Sequence, residues 1–535
     1  MKKILLLIAI LSNATLFAQT TEAFLVEIEP VLIENAPGVH SYSFGRTTDE
    51  KWVILGGRID GLHQRQPFAA FLPADNNKDV FVIDPVTEQV WTSDLSMLPA
   101  AIFEQIQSTN QEFYQQDTML YIIGGYGYSA INGGHVTFPN LAAVSLDELA
   151  DAVINNTNVT PYFRQISDIN LKVTGGQMGY LDGTYYLVGG QLFDGAYNPM
   201  GPTHGPGFTQ IYTNDIRKFE IFDDGVNLAI QNYTVHHDTV NLHRRDYNMA
   251  PQVFPDGSFG FTAFSGVFNY SDMPYLNSVD IKHTGYIVNN TFNQYLSQYH
   301  SATFPVYDAN ANAMHTVFFG GMSQFTLDSQ NNLVEDIDVP FVKTISRVTR
   351  AFDGTMQEVK LNNVDMPSLV GAGAEFIPTG QYYDSHEILD LNAVPQSKTL
   401  VGYIFGGIES SAENIFFSND GTQSVASNVI FKVYINKDAV GLDEITLTGE
   451  HVLNLQLYPV PARGKLNIEF FAPQNRDVTI RILDSSGKLM DEISVPLEDS
   501  GDQEFKINVS KLAAGSYILV LSDGINEEQR SFVKN

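Results

Sequence analysis

The chain has 535 residues, 44% of them hydrophobic, and its 61 acidic and 30 basic side chains give a formal net charge of −31. This apolar content excludes global disorder, and the acidic excess argues against a nucleic-acid partner, because phosphate binding requires a concentrated basic surface. The absence of cysteine excludes disulfides, thiolate metal sites and cysteine nucleophiles. After the first twenty residues no apolar run approaches the ~18–20 residues that span a bilayer, so no membrane span is predicted.

The amino terminus has the pattern of a signal peptide. Two lysines precede a short apolar run at residues 4–11, and a small residue follows before a polar stretch. We predict that residues 1–18 are removed by cleavage between Ala18 and Gln19. The mature protein is therefore expected to be exported.

One pattern recurs through the middle of the chain: an apolar, aromatic-rich run that ends in two glycines. The five clear copies and one degenerate copy end at Gly56-Gly57, Gly124-Gly125, Gly189-Gly190, Ser265-Gly266, Gly320-Gly321 and Gly406-Gly407. A short strand and a turn rich in Asp, Asn or Gly precede each copy, and an alternating strand follows it. The pattern predicts an all-β protein built from six similar units.

These surroundings resemble the kelch repeat, whose blades are four-stranded sheets with Gly-Gly after the second strand. The resemblance covers about residues 22–440 and implies a six-bladed kelch-type β-propeller, which we assign to residues 19–440. The sixth blade has three strands at its own place in the sequence, at about 371–377, 400–405 and 428–435. We predict that Phe24–Glu29 supplies the fourth strand and closes the ring without a free edge.

The last eighty residues have a different pattern. After a linker at 441–455, residues 456–535 contain a Pro-x-Pro-Ala opening at Pro459, an Asp-x-x-Gly-Lys turn at Asp484 and a terminal Phe-Val-Lys. Together with a Leu-Ala-Ala-Gly-Ser-Tyr segment before an apolar strand, these motifs resemble the type A sorting domain of the type IX secretion system, although Val460 replaces the usual Asn of the opening. A generic Ig-like binding module is the alternative.

The sorting-domain resemblance implies a small Ig-like β-sandwich whose partner is the type IX secretion machinery. It implies export across the outer membrane, and therefore a location at the cell surface or in the medium.

In a propeller, the loops after each second strand and the loops that join the blades share one face, which we call the long-loop face. We predict a binding site there from these residues: Arg58, His63, Arg65, Tyr126, His204, His243, Arg244, Arg245, Asp246 and Tyr247. Guanidinium groups with aromatic rings suit capture of a carboxylate and stacking on a sugar. The alternative is that the arginines form structural salt bridges between blades.

Metal and cofactor sites are not predicted. The run His236-His237-Asp238 contains ligand-type side chains, but adjacent residues of a strand point in opposite directions. His40 and His300 stand at strand starts, where a histidine is typically a hydrogen-bonding residue of the core.

The sequence favours a secreted or surface-attached propeller that binds a glycan or a partner protein on the long-loop face, rather than an enzyme. The alternative is a carbohydrate-active enzyme of lyase type, or one resembling the kelch sugar-acid mutarotases known as sialic acid epimerases. Its candidates are Arg58, Arg244 or Arg245, with His243 and Asp246 as the acid/base pair. A purely structural surface protein is a third possibility. An acid/base pair that points into the central depression would favour the enzyme.

Overall fold

The structure is a computed structural model that describes residues 24–199, 205–328, 331–438, 445–446, 453, 455–472, 477–484, 488–497, 501–522 and 527–535. Within these ranges β-strands predominate, and residues 24–438 form a propeller of six four-stranded sheets. The predicted signal peptide, with the Ala18–Gln19 cleavage site, lies outside the described residues, as does most of the predicted linker.

Blades 1 to 5 are antiparallel meanders of four strands in chain order, with a separate hairpin between the second and third strands of blades 2, 3 and 5. Blade 1 contains Ser43–Arg46, Trp52–Leu55, Asp79–Asp84 and Gln89–Asp94. Blade 2 contains Glu112–Gln116, Met119–Ile123, Asn140–Ser145 and Phe163–Ser167. Blade 3 contains Gln177–Leu181, Thr184–Val188, Asp215–Asp223 and Leu228–His237. Blade 4 contains Asn248–Val253, Phe259–Phe264, Ser278–Lys282 and Gly285–Asn289. Blade 5 contains Thr303–Asp308, Ala313–Phe319, Thr344–Arg350 and Met356–Asp365.

Blade 6 is assembled from both ends of the propeller. Its first three strands are Leu369–Pro378, Thr399–Ser410 and Ile430–Asn436. The fourth strand is Leu25–Val31, which runs antiparallel to Ile430–Asn436. This pairing confirms the predicted closure by the amino-terminal segment, and it places the side chain of Val26 in the apolar core of blades 5 and 6.

A second closure lies on the axis, where one residue of each blade takes part in a ring of six backbone hydrogen bonds. Each amide donates to the carbonyl of the preceding blade: Asn110 to Ser41, Gly175 to Asn110, Asp246 to Gly175, His300 to Asp246, Gly373 to His300 and Ser41 to Gly373, with N···O distances of 2.7–3.1 Å. We call this feature the axial ring. It bonds every blade to both of its neighbours, so the first strands stand around one central channel.

The paired glycines directly follow the second strand in blades 1, 2, 3 and 5 and lie within the longer second strand of blade 6, and all of them have positive φ. Gly124 shows why glycine is needed. An added Cβ would lie 2.0 Å from the carbonyl oxygen of Val173, in the segment that joins blades 2 and 3. The degenerate copy keeps this backbone, with φ of 48° at Ser265 and 98° at Gly266. Close approach between blades therefore explains the repeat that organises the sequence.

Short helices and extra strands fill the connections. The α-helices are Ala100–Ile106 and Leu146–Ile154, and the 3-10 helices are Pro73–Asp75, Thr160–Tyr162 and Ile169–Leu171. Three two-stranded hairpins project from long loops: Tyr126–Ser129 with Gly134–Thr137, Gln191–Gly195 with Phe208–Tyr212, and Phe325–Leu327 with Leu333–Glu335. Ser424–Ala426 pairs with the second strand of blade 6, while Leu389–Asp390 and Ile445–Thr446 add to blade 5.

The carboxyl-terminal region is an Ig-like sandwich of two sheets. One sheet contains Gln456–Tyr458, Lys465–Ala472 and Gly501–Asn508, and the other contains Val478–Asp484, Leu489–Val495, Gly515–Ser522 and Glu527–Lys534. Alternating apolar residues from both sheets form one core. The hydroxyl of Tyr517 donates to the carbonyl of Ala513, 2.9 Å away, which gives the Leu-Ala-Ala-Gly-Ser-Tyr motif a structural role. No helix in the described part of the chain is long and apolar enough to cross a membrane.

Candidate functional site

A cavity of about 170 Å³ lies on the propeller axis, and we call it the axial pocket. The first strands of all six blades line it, and the loop after the first strand of blade 6 adds residues from Tyr383 to Glu387. Six of its aromatic side chains come from five blades: Phe44, Phe113, Tyr114, Tyr180, Phe259 and Phe376. The pocket therefore combines apolar ring surfaces with polar groups inside a rigid sheet framework.

A smaller cavity of about 60 Å³ continues along the axis toward the axial ring, and it is the polar end of the site. It shares Gln177, His300 and Glu375 with the axial pocket and adds Asn110 and Glu112. The site is thus aromatic at one end and polar at the other, so a ligand along the axis would meet both kinds of surface.

His300 and Glu375 form an ion pair in the part that both cavities share. Nε2 of His300 lies 3.2 Å from Oε1 of Glu375, and the two side chains are 20% and 14% exposed. Burial disfavours the charged imidazole, but the Glu375 carboxylate outweighs it and raises the pKa of His300. An acid/base pair therefore faces the channel, although its members are bonded to each other.

Glu112 is the most deeply buried acidic group of the polar end, at 1% exposure. Its Oε1 accepts a hydrogen bond from the amide of Gly176 at 2.7 Å, whereas its Oε2 has no hydrogen-bond partner among the described residues. Burial raises the pKa of this carboxyl to about 8, although the Gly176 amide and the charge of Arg217 act in the opposite direction. At neutral pH Glu112 is therefore a neutral proton donor.

Replacing Glu112 by glutamine is expected to increase stability above pH 5 and to leave it unchanged at pH 4. The unfolded carboxyl ionises near 4.5 and the folded one near 8, so the stability that the neutral form contributes is complete below pH 4.5 and is lost as the pH rises through 8. Removing the titration should increase the free energy of unfolding by ~3 kcal/mol at pH 7. Urea unfolding at pH 4, 5.5, 7 and 8.5 measures it.

The charged groups that face Glu112 are Arg217 and Asp246, and neither changes in this variant. The matched control is Glu148→Gln on an exposed helix face, which should show the same pH dependence as the wild type. A Glu112→Gln effect that is constant from pH 4 to 8.5 would contradict the neutral buried carboxyl.

The loop of blade 6 forms the mouth of the axial pocket. The ring of His386 stacks on Phe259 with centroids 3.8 Å apart, and the hydroxyl of Tyr383 donates to the carbonyl of Val401 at 2.9 Å. Next to them, the Glu387 carboxylate makes no hydrogen bond or ion pair with a described residue. The mouth is thus a fixed loop that presents one free carboxylate.

Two arginines predicted for the binding site are buried at the junctions of loops. Arg58 forms a bidentate pair with Asp60, with N···O distances of 2.7 and 2.6 Å, and a 2.9 Å bond to Asn76. Arg244 donates to the carbonyls of Ser265 and Asn277 at 2.6 and 2.9 Å. Both residues are 1% exposed, which corresponds to the structural alternative considered for these arginines.

His63, Arg65 and Tyr126 lie in an aromatic cluster of the long-loop face. The ring of His63 lies 4.4 Å from that of Tyr197, and burial lowers the pKa of His63 to about 4, so the imidazole is neutral at pH 7. The Arg65 guanidinium lies 4.6 Å from the ring centroid of Phe417, and the Tyr126 hydroxyl donates to a backbone carbonyl. These side chains mainly contact one another.

The remaining predicted residues follow one another between blades 3 and 4. His243 is stacked between Tyr212 and Tyr270, and Tyr247 is fully buried with its hydroxyl bonded to a backbone carbonyl. Arg245 is ion-paired with Asp246, and Asp246 belongs to the axial ring. Oδ1 of Asp246 accepts a hydrogen bond at 3.0 Å from Asn110 of the polar end, whereas Arg245 and His243 do not line either cavity. His204 lies outside the described residues.

Four titratable side chains of the axial site are not among the binding-site residues predicted from the sequence: Glu112, His300, Glu375 and Glu387. His300 was interpreted as a core hydrogen-bonding residue, whereas the structure places it on the axis. Their positions in the strands could have indicated them. Glu112 and Glu375 are acidic residues in the first strands of their blades, and first strands line the channel of a propeller. In the described ranges, no group of three or more His, Cys, Asp or Glu residues is arranged to hold a metal ion.

Comparison with solved structures gave matches of low sequence identity. The structure of YjhT matches with 10% identity over 74% of this chain and 99% of its own, at a TM-score of 0.41. PorZ, a surface component of the type IX secretion system of Porphyromonas gingivalis, matches with 9% identity over 95% and 100%, at a TM-score of 0.13. A family 43 arabinoxylan arabinofuranohydrolase from Bacillus subtilis matches with 8% identity over 93% and 95%, at 0.26. No curated protein matches the chain.

Comparison with family models identified the carboxyl-terminal region. Residues 456–535 match the secretion system C-terminal sorting domain, which confirms the prediction from the sequence motifs. Proteins with this domain are exported by the type IX secretion system to the cell surface or the extracellular space. The chain is therefore a type IX cargo: a six-bladed propeller followed by an Ig-like sorting domain.

Proposed function

We propose that this protein is a sugar-binding propeller of the cell surface or the medium, and that the axial pocket holds the sugar. The observation that carries the proposal is the composition of that pocket, where aromatic rings from five blades surround a channel that ends in amide and carboxyl groups. We also propose that the six blades are kelch repeats, because every Gly-Gly pair has the positive-φ backbone and the close contacts that the repeat implies.

The pocket surfaces match the two faces of a pyranose ring. The rings of Phe44 and Phe113 meet edge to face, with centroids 5.3 Å apart, and offer an apolar surface to C–H groups. Gln177 donates through Nε2 to the carbonyl of Tyr247 at 3.0 Å, which fixes its orientation and leaves its Oε1 for a hydroxyl. This pairing of a stacking surface with fixed hydrogen-bonding groups distinguishes a sugar site from a purely apolar one.

The size of the pocket also favours a single ring. Its volume of about 170 Å³ is close to that of an apolar cavity of ~150 Å³, which holds one benzene molecule. One six-membered ring therefore fits inside, and longer glycans would extend through the mouth at Glu387.

Replacing Tyr180 by alanine is expected to weaken sugar binding about tenfold. The loss of a stacking contact with an aromatic ring should have this size, since stacking of a nucleic-acid base on such a ring contributes ~1–3 kcal/mol. Titration calorimetry of the purified protein with a panel of monosaccharides and short oligosaccharides measures the change. Arg65→Ala is the matched variant on the long-loop face, and it should leave binding unchanged. Loss of binding only in Arg65→Ala would move the site to the long-loop face that the sequence predicted.

A carbohydrate-active enzyme of mutarotase or lyase type is the second candidate. It is favoured by one observation: a neutral acid, Glu112, and the acid/base pair of His300 and Glu375 line the same 60 Å³ cavity. Proton donation to a ring oxygen and proton removal from a hydroxyl need such a combination. The exchange rate between anomers of a bound sugar, followed by NMR, distinguishes this enzyme from a binding protein.

A further inference from the structure

The described basic side chains on and beside the axial pocket are engaged by groups of the protein. Arg46 lies on the pocket wall, and its Nη1 donates to Glu50 at 2.7 Å. His300 is paired with Glu375, Arg245 is paired with Asp246, and Arg217 donates to the carbonyls of Asn170 and Gly189. Among the described residues that line the pocket, a ligand carboxylate would therefore find no unpaired guanidinium.

Two acidic groups, by contrast, have hydrogen-bond acceptor capacity left for a ligand that donates. Glu387 is an exposed residue at the mouth, and its carboxylate has no hydrogen-bond partner among the described residues. Glu112 stands at the other end, more than nine-tenths buried, and its Oε2 is unpartnered. Two incompletely satisfied carboxyl groups thus mark the two ends of one channel.

We propose that the axial pocket selects ligands that carry a primary ammonium group, amino sugars in particular, over neutral and carboxylated sugars. This inference rests on the proposed sugar-binding function and gives its ligand class. An ammonium group provides three hydrogen-bond donors on a compact charge, so it can pair with the free Glu387 carboxylate or donate to Oε2 of Glu112.

The aromatic walls support the same preference. Tyr114 and Tyr180 line the pocket with their ring centroids 5.8 Å apart, and a cation over the face of such a ring is attracted by its quadrupole. A carboxylate over the same rings would be repelled, and the net charge of the protein adds to that repulsion. The aromatic walls and the Glu387 carboxylate at the mouth therefore both favour a cationic ligand over an anionic one.

The test compares D-glucosamine, D-glucose and D-glucuronic acid as ligands of the full-length protein at pH 7 by titration calorimetry. Glucosamine should bind about tenfold more tightly than glucose, the range expected for one hydrogen-bonded charge, and glucuronic acid should bind most weakly. Raising the salt concentration from 0.05 to 0.5 M (experimental settings, spanning a Debye length of ~14 to ~4 Å) should reduce the glucosamine preference and leave glucose binding unchanged.

Glu387→Gln removes the free carboxylate at the mouth without removing any hydrogen bond to a described residue, so it should abolish most of the preference for glucosamine over glucose. The matched control is Glu88→Gln, which removes the same charge from an exposed hairpin of blade 1 and should retain the preference. Equal affinities for glucosamine and glucose, or tighter binding of glucuronic acid, would overturn the inference and leave the sugar-binding proposal intact. Binding of none of the three sugars would overturn both.

Discussion

Gly124→Ala is expected to lower the free energy of unfolding by more than ~3 kcal/mol. This loss is a large fraction of the ~5–15 kcal/mol by which native proteins are stable. Gly124 has a φ of +66°, which costs a non-glycine residue about 1 kcal/mol or more. The added Cβ would also lie 2.0 Å from the carbonyl oxygen of Val173 and 2.9 Å from Oε2 of Glu112. Because a backbone atom is the nearer neighbour, the joint between blades 2 and 3 would have to move. Thermal or urea unfolding measures the loss.

Gly183→Ala is the matched control for this prediction. Gly183 also has a positive φ, of +87°, but its added Cβ would have no neighbour within 4 Å. The Gly183→Ala variant should therefore lose only the stability that the unfavourable positive φ costs an alanine, about 1 kcal/mol or more. If both variants lose the same stability, then conformational strain rather than close packing explains the glycine pairs, and the account of the repeat given above is wrong.

Val26→Asp is expected to cost at least ~4 kcal/mol and to make unfolding of the propeller less cooperative. Val26 is fully buried in the core shared by blades 5 and 6, so the substitution removes an apolar side chain and places an unpaired carboxylate there. Its strand closes blade 6, and losing the strand would expose the edge of Ile430–Asn436. Circular dichroism during thermal unfolding measures the effect.

Leu32→Asp provides the comparison, because Leu32 lies just beyond the same strand and is 70% exposed. It makes the same kind of change on the surface, and we expect an effect below ~0.5 kcal/mol. Similar losses in the two variants would mean that the amino-terminal strand contributes little to closure.

The fold was largely predictable from the sequence because its repeat has a local physical cause. A glycine pair at the end of an apolar strand reports a backbone that comes close to the next blade, and this signal survives at Ser265-Gly266, where one glycine is lost. The closure by the amino-terminal segment followed from counting strands, since a six-bladed ring with three strands in its last blade needs a fourth. The sorting domain followed from several ordered motifs.

The candidate site was predictable only in part, because composition shows which residues are unusual but not which of them are already paired. Arg58 and Arg244 are rare cations in an acidic chain, yet the guanidinium group of each is hydrogen-bonded to neighbours in its own loop or the next. Although burial opposes ionisation, the nearby His40 ring, whose Nε2 lies 3.8 Å from Oδ1, and the two hydrogen bonds from Arg58 lower the pKa of Asp60 to about 2. The Arg58–Asp60 pair therefore stays charged inside the protein. The carboxyl groups of the axis come from blades far apart in sequence, and only the closed ring brings them together.

The closing strand also has a consequence for the order in which the protein folds. A chain that is synthesised from its amino terminus must hold residues 25–31 unpaired until residue 436 has followed, because Leu25 pairs with Asn436. Glu27, Glu29 and Pro30 are suited to that interval, since charges and proline on a lone strand discourage pairing with other chains. When the strand pairs with blade 6, Nζ of Lys398 donates to the carboxylates of Glu27 and Glu29 at 2.8 and 2.7 Å. The carboxylates that discourage wrong pairing of the free strand therefore stabilise it in the folded protein.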